Sequence, residues 1–343
     1  MARGDDSFKQ FSHVVTPSEA QEPILAKPVR NALLEWLTEI WAKDELSAVG
    51  LNERRRALFS GPAGTGKTTL AHHLAARLGL PMAIIRPDDI HGRYLGTGTA
   101  NVKQIFDAAE RYAEETGGPL MLFFDEFDTV AQKRMHSGIN QAAEHDHNAM
   151  VNTLLARLDA YDSFIIAATN RADAVDESVW RRFEIHIDVK LPGQFERERI
   201  LARYLAPFGL PPRQLRSLAE ACETATPALM RGLCENLKRQ IVVGPKCGWD
   251  MGRRVTFERL LAAIQPHPDC GKPRLWSLGS EDDSIKMMPW PLPRQEDIRV
   301  DALLAAAGTE VERAADNIVP LRANLEKSTP AGGVSAQHGG HET

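Results

Sequence analysis

Short apolar runs alternate with amphipathic stretches along the first half of the chain. Apolar positions over 24–43 recur at helical spacing and predict a helix that begins near Pro28. Five later apolar runs predict strands over 57–60, 82–85, 120–124, 164–168 and 185–189. Helical spacing fills the gaps near 67–78, 101–115, 142–159 and 174–181. Strands that alternate with helices favour right-handed βαβ units, so the fold class is α/β with a mostly parallel sheet.

The strand pattern stops after Pro192, and the helical pattern continues. Helices are predicted over 194–206, 213–223, 227–242 and 256–264. The chain is therefore divided into a disordered arm (1–22), an α/β core (23–192), a small all-α domain (193–265), a C-terminal extension (266–326) and a disordered tail (327–343). The extension is rich in Pro and turn residues, and we expect it to lie over the surface.

Composition narrows the class of protein without naming a function. Apolar residues make up 43% and charged residues 25% of the chain, and the formal net charge is −5. This charge provides no global positive field that would attract nucleic acid. No run reaches the roughly 18 apolar residues of a membrane span, and the N-terminus lacks the apolar segment of a secretory signal. With four cysteines and no CxxC pair, we expect a soluble, cytoplasmic protein with free thiols.

A glycine-rich motif carries the clearest chemistry. Residues 61–68 read GPAGTGKT, which fits G-x-x-x-x-G-K-[ST] between a predicted strand and a predicted helix. Such a loop points its backbone N–H groups and a helix N-terminus at phosphate oxygens. Lys67 would then reach the β- and γ-phosphates, and the Thr68 hydroxyl would bind Mg²⁺. The predicted nucleotide-binding residues are Gly61, Pro62, Ala63, Gly64, Thr65, Gly66, Lys67, Thr68 and Thr69.

Polar residues end two of the predicted strands. Asp125 and Glu126 follow the apolar run 120–124, and Asn170 follows the run 164–168. In an open α/β sheet, such strand ends are where ligands bind. Asp125 suits a Mg²⁺-holding role through water, and Glu126 suits the base that polarises an attacking water. Asn170 would reach the γ-phosphate or that water. The alternative for Asp125 and Glu126 is a helix N-cap or a surface pair, and the alternative for Asn170 is an asparagine in a turn.

Together these motifs resemble the AAA family of the AAA+ ATPases. The resemblance rests on GPAGTGKT (61–68), LMLFFDEFD (120–128), ATN (168–170) and DESVWRRFE (176–184), and it covers residues 24–265. It implies a P-loop NTPase sheet of order 5-1-4-3-2, a helical lid, and ATP with Mg²⁺. It also implies a homo-oligomeric ring, usually a hexamer, with ATP sites between neighbours. Asn170 then matches the polar sensor of the family.

Two adjacent arginines fall where the family places its arginine fingers. Arg181 and Arg182 lack the insert that separates this pair in many relatives. This compact form resembles small bacterial AAA proteins and the subgroup of microtubule-severing and membrane-scission ATPases. A guanidinium donated by a neighbouring subunit stabilises the charge of the transition state. The alternative is a solvated arginine pair at a helix end, where the helix dipole favours cations.

The resemblance also implies a pore loop at Tyr94, Leu95 and Gly96, which would grip an extended polypeptide. The alternative is a loop tyrosine packed on its own domain. Residues 132–147 are a candidate for a second pore-facing loop, but their polar sequence favours a solvated loop or the start of a helix. At the lid, Thr226 before Pro227 predicts a helix N-cap. Positions 227–229 depart from the family, and Arg231 is left out of the site as a surface residue.

The leading prediction is therefore a ring-forming ATPase that couples hydrolysis to protein remodelling, unfolding or translocation through a central pore. One alternative is a nucleic-acid-linked loader or helper ATPase, which the net charge and the pore-loop triplet disfavour. Another is a nucleotide-gated scaffold with low turnover, which the set of Lys67, Asp125, Glu126 and Asn170 disfavours. Substrate choice would come from the arm, the extension, the pore or an adaptor, with no membrane partner expected.

Overall fold

A six-stranded sheet forms the first part of the molecule. The computed structural model describes residues 13–91, 96–133 and 141–298. Its strands are β1 (His13–Val15), β2 (Arg56–Ser60), β3 (Met82–Ile85), β4 (Met121–Phe124), β5 (Ile165–Thr169) and β6 (Ile185–Asp188). They follow the order β1-β3-β4-β5-β2-β6; β1 runs antiparallel to β3, and the other neighbours are parallel. Without β1 this is the 5-1-4-3-2 order that the resemblance implies, so the fold prediction is confirmed.

Helices cover both faces of this sheet. Helices α1 (Lys27–Trp41) and α3 (Lys67–Leu78) share a core with one face. Helices α5 (Thr97–Thr116) and α7 (Gln141–Ala160) share a core with the other. Every residue of β4 and β5 is buried, as expected for parallel strands covered on both sides. The described part of the α/β domain also contains four short α-helices: α2 (Lys43–Ala48), α4 (Pro87–Ile90), α6 (Phe127–Val130) and α8 (Glu177–Trp180).

The N-terminal segment departs from the prediction of a disordered arm over 1–22. His13–Val15 adds a strand to the edge of the sheet by pairing with β3. The backbone carbonyl of Thr16 lies 3.0 Å from the His72 Nε2 atom on α3, and Val14 and Val15 pack against the two cores. A strand of three residues is too short to be recognised from an alternation of apolar and polar positions. It forms here because the edge of the sheet, strand β3, provides hydrogen-bond partners. Residues 1–12 lie outside the described ranges.

The second part of the chain is helical, as predicted. It contains α9 (Gln194–Leu205), α10 (Pro212–Ala221), α11 (Pro227–Val243) and α12 (Arg253–Ala263). The extension continues this domain rather than lying loosely over it. Its short helices α13 (Arg274–Leu278) and α14 (Asp283–Lys286) bury Leu275, Trp276 and Ile285 in the same hydrophobic core. The boundary predicted at residue 265 is therefore not a boundary in packing, and residues 299–343 lie outside the described part.

Hydrogen bonds connect the helical domain to the boundary segment and to the loop after β2. The buried Arg197 guanidinium of α9 donates to the Ala219 carbonyl within the helical domain (2.7 Å) and to the Pro192 carbonyl at the predicted boundary (2.9 Å). At the start of α11, the backbone N–H of Ala228 donates to the carbonyl of Gly64 at 3.1 Å. The helical domain thus reaches the loop that follows β2. Within the described ranges, no helix has the length and apolarity needed to cross a membrane.

Candidate functional site

The glycine-rich loop lies between β2 and α3, as the motif predicts, and two of its glycines combine a positive φ with close neighbours. Gly61 has φ = 141°, and a Cβ there would overlap the carbonyl oxygen of Val189. Gly64 has φ = 76°, and a Cβ there would approach the Thr226 hydroxyl to 3.1 Å. Both conformations favour glycine. The loop is therefore pressed between the end of β6 and the start of α11, with the N-terminus of α3 opening from it.

Lys67 is the buried cation of the site. Its Nζ atom donates to the carbonyls of Gly61 (2.8 Å) and Pro62 (2.9 Å) and to Asn170 Oδ1 (2.7 Å). Burial lowers the pKa of Lys67, although the carboxylates of Asp125 and Asp128 partly oppose this by favouring the charged form. These direct hydrogen bonds go to neutral oxygens, so the ammonium remains short of negative charge. An anionic phosphate suits this position.

Thr68 and Asp125 meet at the start of α3. The Thr68 hydroxyl donates to Asp125 Oδ2 at 3.1 Å, which brings the two predicted Mg²⁺ ligands together. The other carboxylate oxygen accepts the backbone N–H of Glu126 at 3.0 Å. A hydroxyl and a carboxylate are the hard oxygen donors that Mg²⁺ prefers. The residues present therefore fit a magnesium ion that is shared with phosphate.

Glu126 has a strained backbone that holds its carboxylate at the rim of the site. Its φ is 48°, a left-handed conformation that other described non-glycine residues do not adopt. Such conformations cost on the order of 1–3 kcal/mol and persist when the surroundings enforce them. Here the N–H and the hydroxyl of Thr129 both donate to the Glu126 carbonyl, at 3.0 and 2.8 Å. The exposed carboxylate is thus available to a water molecule beside the phosphate loop.

A cavity of about 690 Å³ opens beside these groups. Its lining includes predicted residues from the loop (Gly61, Pro62 and Ala63) together with Glu126 and Asn170. The remaining predicted residues of the motif are not among the lining residues, and Lys67, Thr68 and Thr69 belong to α3. Of these, Thr65 turns its hydroxyl to the Pro62 carbonyl at 2.9 Å. Gly66 caps α3, and Thr69 is exposed on its first turn.

Several further residues line this cavity and were not predicted from the sequence. Their positions explain why. Four of them lie within three residues of Glu126 or Asn170 along the chain, and this nearness was the available signal. Ser60 ends β2, and Asp188 ends β6. The others come from the extension, and no local pattern connects that segment to the phosphate loop. The lining residues that were not predicted are Ser60, Asp128, Thr129, Arg171, Ala172, Asp188, His267, Asp269 and Cys270.

The two adjacent arginines do not line the cavity of their own chain. Arg181 follows α8 with 70% of its side chain exposed, and it pairs with Glu177. Arg182 Nε lies 3.1 Å from Asp159 Oδ1 on α7. Both positions fit the alternative of a solvated pair within one chain. Contact with a phosphate site requires that site to belong to a neighbouring molecule.

The predicted pore loop falls mostly outside the described residues. Tyr94 and Leu95 are not described, and only Gly96 is. Gly96 precedes α5 with φ = 82°, and its N–H donates to Asp146 Oδ1 at 2.7 Å. The second weighed loop, 132–147, is described at both ends: residues 141–147 belong to α7, and residues 134–140 lie outside the described ranges.

At the lid, the predicted helix start is confirmed. The Thr226 hydroxyl accepts the backbone N–H of Leu229 at 3.2 Å, and Pro227 begins α11. Arg231 instead pairs with Glu235 at 2.7 Å and lies over the ring of Tyr204 at 5.6 Å. Arg231 is thus an exposed residue of α11 that pairs within the helical domain, and its exclusion from the site stays a prediction.

Comparisons with known proteins identify the matching family. Residues 57–191 match the model of the ATPase family associated with various cellular activities (AAA). The AAA family ATPase y4kL of Sinorhizobium fredii is 39% identical over 183 residues, which are 52% of each chain. The ATP-dependent zinc metalloprotease FtsH 1 of Symbiobacterium thermophilum is 31% identical over 72% of this chain and 40% of its own length. The peroxisomal ATPase PEX6 of Candida glabrata is 34% identical over 49% of this chain and 15% of its own.

Among solved structures, the AAA domain of FIGL-1 in complex with ADP has a TM-score of 0.57 at 20% identity. The match covers 75% of this chain and 88% of that domain. At this identity the likeness shows the fold alone. The chain spans about half the length of the first curated relative and less of the other two. The sequence match, the sheet order and the phosphate loop agree, and residues 57–191 of this chain are an AAA ATPase domain.

Proposed function

We propose that this protein hydrolyses ATP and, as a ring of identical subunits, couples hydrolysis to remodelling, unfolding or translocation of protein. The observation that carries the ATPase part is the contact of Lys67 Nζ with Asn170 Oδ1 at 2.7 Å, beside the Thr68–Asp125 pair. Groups that follow β2, β4 and β5 meet there. Their chemistry matches the needs of phosphoryl transfer to water.

Each residue has a distinct task in this reaction. Lys67 and the loop N–H groups hold the phosphates, and Thr68 with Asp125 would hold Mg²⁺. When bound, Mg²⁺ neutralises charge on the phosphate oxygens. Glu126 polarises the attacking water and accepts its proton. Asn170 donates from its amide to the γ-phosphate or to that water, since its oxygen is the atom that faces Lys67. The contribution is mainly positioning and charge stabilisation.

We propose a ring because, within one chain, neither Arg181 nor Arg182 lines the cavity. Arg181 is mostly exposed and outside the cavity. In a ring, the guanidinium of one subunit would reach the γ-phosphate held by its neighbour. Hydrolysis would then depend on assembly, because in the isolated chain the transition state lacks the additional charge of an Arg181 or Arg182 guanidinium.

The protein substrate is proposed on three grounds. The triplet Tyr94-Leu95-Gly96 combines an amphipathic aromatic residue, an apolar residue and a glycine, a composition suited to gripping an extended polypeptide. The net charge of −5 disfavours a nucleic-acid track. The names of two relatives, an ATP-dependent metalloprotease and a peroxisomal ATPase, are compatible with work on proteins. An adaptor would select the substrate if the chain itself does not.

Glu126→Gln tests the hydrolysis. The amide cannot accept the proton, so we expect turnover to fall by about 10²–10⁴-fold while ATP still binds. Phosphate release measures turnover, and a fluorescent ATP analogue measures binding. Glu115→Gln, an exposed glutamate on α5, is the matched control and should retain full turnover. Wild-type turnover in Glu126→Gln would contradict the assignment of the base.

Substitution of both Arg181 and Arg182 by Ala tests the ring. Turnover should fall by about 10³-fold or more with ATP binding retained, because a finger acts only on the transition state. Mixing this variant with Lys67→Ala should restore part of the activity, since mixed rings pair an intact loop with an intact finger. Arg199→Ala, exposed on α9, is the control. Absence of rescue in rings that demonstrably contain both variants would argue against action between subunits.

Tyr94→Ala tests the work on protein. Turnover of ATP should persist, and unfolding of a protein substrate should be lost, because the loop grips the polymer and not the nucleotide. The substrate is obtained by capture on the Glu126→Gln variant in ATP and identified by mass spectrometry. His91→Ala, an exposed residue just before this loop, is the control. ATP hydrolysis that DNA stimulates, and that Tyr94→Ala leaves unchanged, would instead support a nucleic-acid-linked ATPase.

A further inference from the structure

One carboxylate of the site has contacts that the proposed reaction does not yet use. Asp128 lies on α6, two residues after Glu126. Its Oδ1 atom accepts the Thr169 hydroxyl at 2.8 Å and the backbone N–H of Asn170 at 3.3 Å. Both partners belong to the end of β5 and the turn that follows it. A single oxygen thus ties the segment after β4 to the segment after β5.

The contacts continue from Thr169 into the turn. Thr169 is fully buried, and its hydroxyl oxygen also accepts the backbone N–H of Arg171 at 3.0 Å. The Thr169 hydroxyl therefore donates to Asp128 and accepts from Arg171 at once. Asn170 sits between these two anchors, and its side chain accepts from Lys67 Nζ. The direction of the Asn170 amide depends on where this turn is held.

The opposite end of the connection is the base itself. Glu126 and Asp128 are in one tight turn, in which Thr129 donates twice to the Glu126 carbonyl. This turn includes the strained conformation of Glu126. A displacement of Asp128 would therefore also displace Glu126. A carboxylate acceptor is well suited to the connection, since hydrogen bonds to a charged acceptor are about twice as strong as neutral ones.

We propose that Asp128 is a positioning residue that sets the Asn170 amide at a fixed place relative to the Glu126 carboxylate. The attacking water must be held between these two groups. Asp128 acts through both of them, by way of its hydrogen bonds to Thr169 and Asn170. This inference rests on the proposed ATP hydrolysis and deepens it. The needed feature is an acceptor oxygen at the Oδ1 position, because both donors converge on that atom.

Three variants separate positioning from other roles. In Asp128→Ala, Thr169 and Asn170 lose their acceptor, and kcat should fall by about 10–100-fold because a misplacement near 1 Å has costs of this size. The KM for ATP should change little, since the loop, Lys67 and Thr68 remain. Asp128→Asn keeps an acceptor at Oδ1 and should recover most of kcat. Thr169→Val removes the donor and should lower kcat in the same way as Asp128→Ala.

The double variant Asp128→Ala with Thr169→Val completes the test. Its loss of kcat should be clearly smaller than the product of the two single losses, because both changes remove the same hydrogen bond between Thr169 and Asp128. Asp173→Ala, an exposed carboxylate in the turn after Arg171, is the matched control and should retain wild-type kcat. Binding of a fluorescent ATP analogue and the thermal midpoint are measured for every variant. If Asp128→Ala does not fold, Thr169→Val carries the test with the same expected result.

Four outcomes would overturn the inference. These are wild-type kcat in Asp128→Ala and Thr169→Val, a rise in KM with kcat unchanged, an Asp128→Asn variant as slow as Asp128→Ala, or additive losses in the double variant. The third would mean that the negative charge, not the acceptor, is required. Failure of the proposed function itself looks different, because the assembled wild-type protein would then show no ATP hydrolysis at all.

Discussion

The site depends on the burial of one ammonium group. Lys67 is removed from water and held by two loop carbonyls and the Asn170 amide oxygen, so its direct hydrogen-bond partners carry no full negative charge. Burying a cation in this way is unfavourable until an anion approaches. The binding of a phosphate therefore completes an arrangement that the chain alone leaves incomplete. The lowered pKa of Lys67 is another sign of the same imbalance.

The topology of the sheet explains why these groups meet. Strand β5 lies between β4 and β2, and all three run in the same direction. Their carboxyl ends consequently lie at one edge, and Lys67, Glu126 and Asn170 follow the three strands. The helical domain closes on the loop from the other side, through the Ala228 N–H to the Gly64 carbonyl. Phosphate binding to this loop would thus affect the contacts of both domains.

Much of this was predictable because the decisive signals are local. The loop motif lies within eight residues, the buried strands are short apolar runs, and Thr226 with Pro227 marks a helix start; all were found in the structure. The contacts that could not be predicted join distant segments. They include the pairing of β1 with β3, the packing of Trp276 into the helical core, the cavity-lining turn near Cys270, and the hydrogen bond from the Thr169 hydroxyl to Asp128. The ring, the pore loop and the cytoplasmic location stay predictions.

The affinity of the protein for ATP, with and without Lys67, tests the central claim most directly. Isothermal titration with ATP and Mg²⁺ is compared between wild type and Lys67→Ala, with adenosine as a ligand that has no phosphate. A charge-assisted contact contributes about 1.5–3 kcal/mol, so the variant should bind ATP at least about tenfold more weakly. Its affinity for adenosine should match that of wild type. Equal ATP affinity in both proteins would contradict a phosphate site built around this buried ammonium.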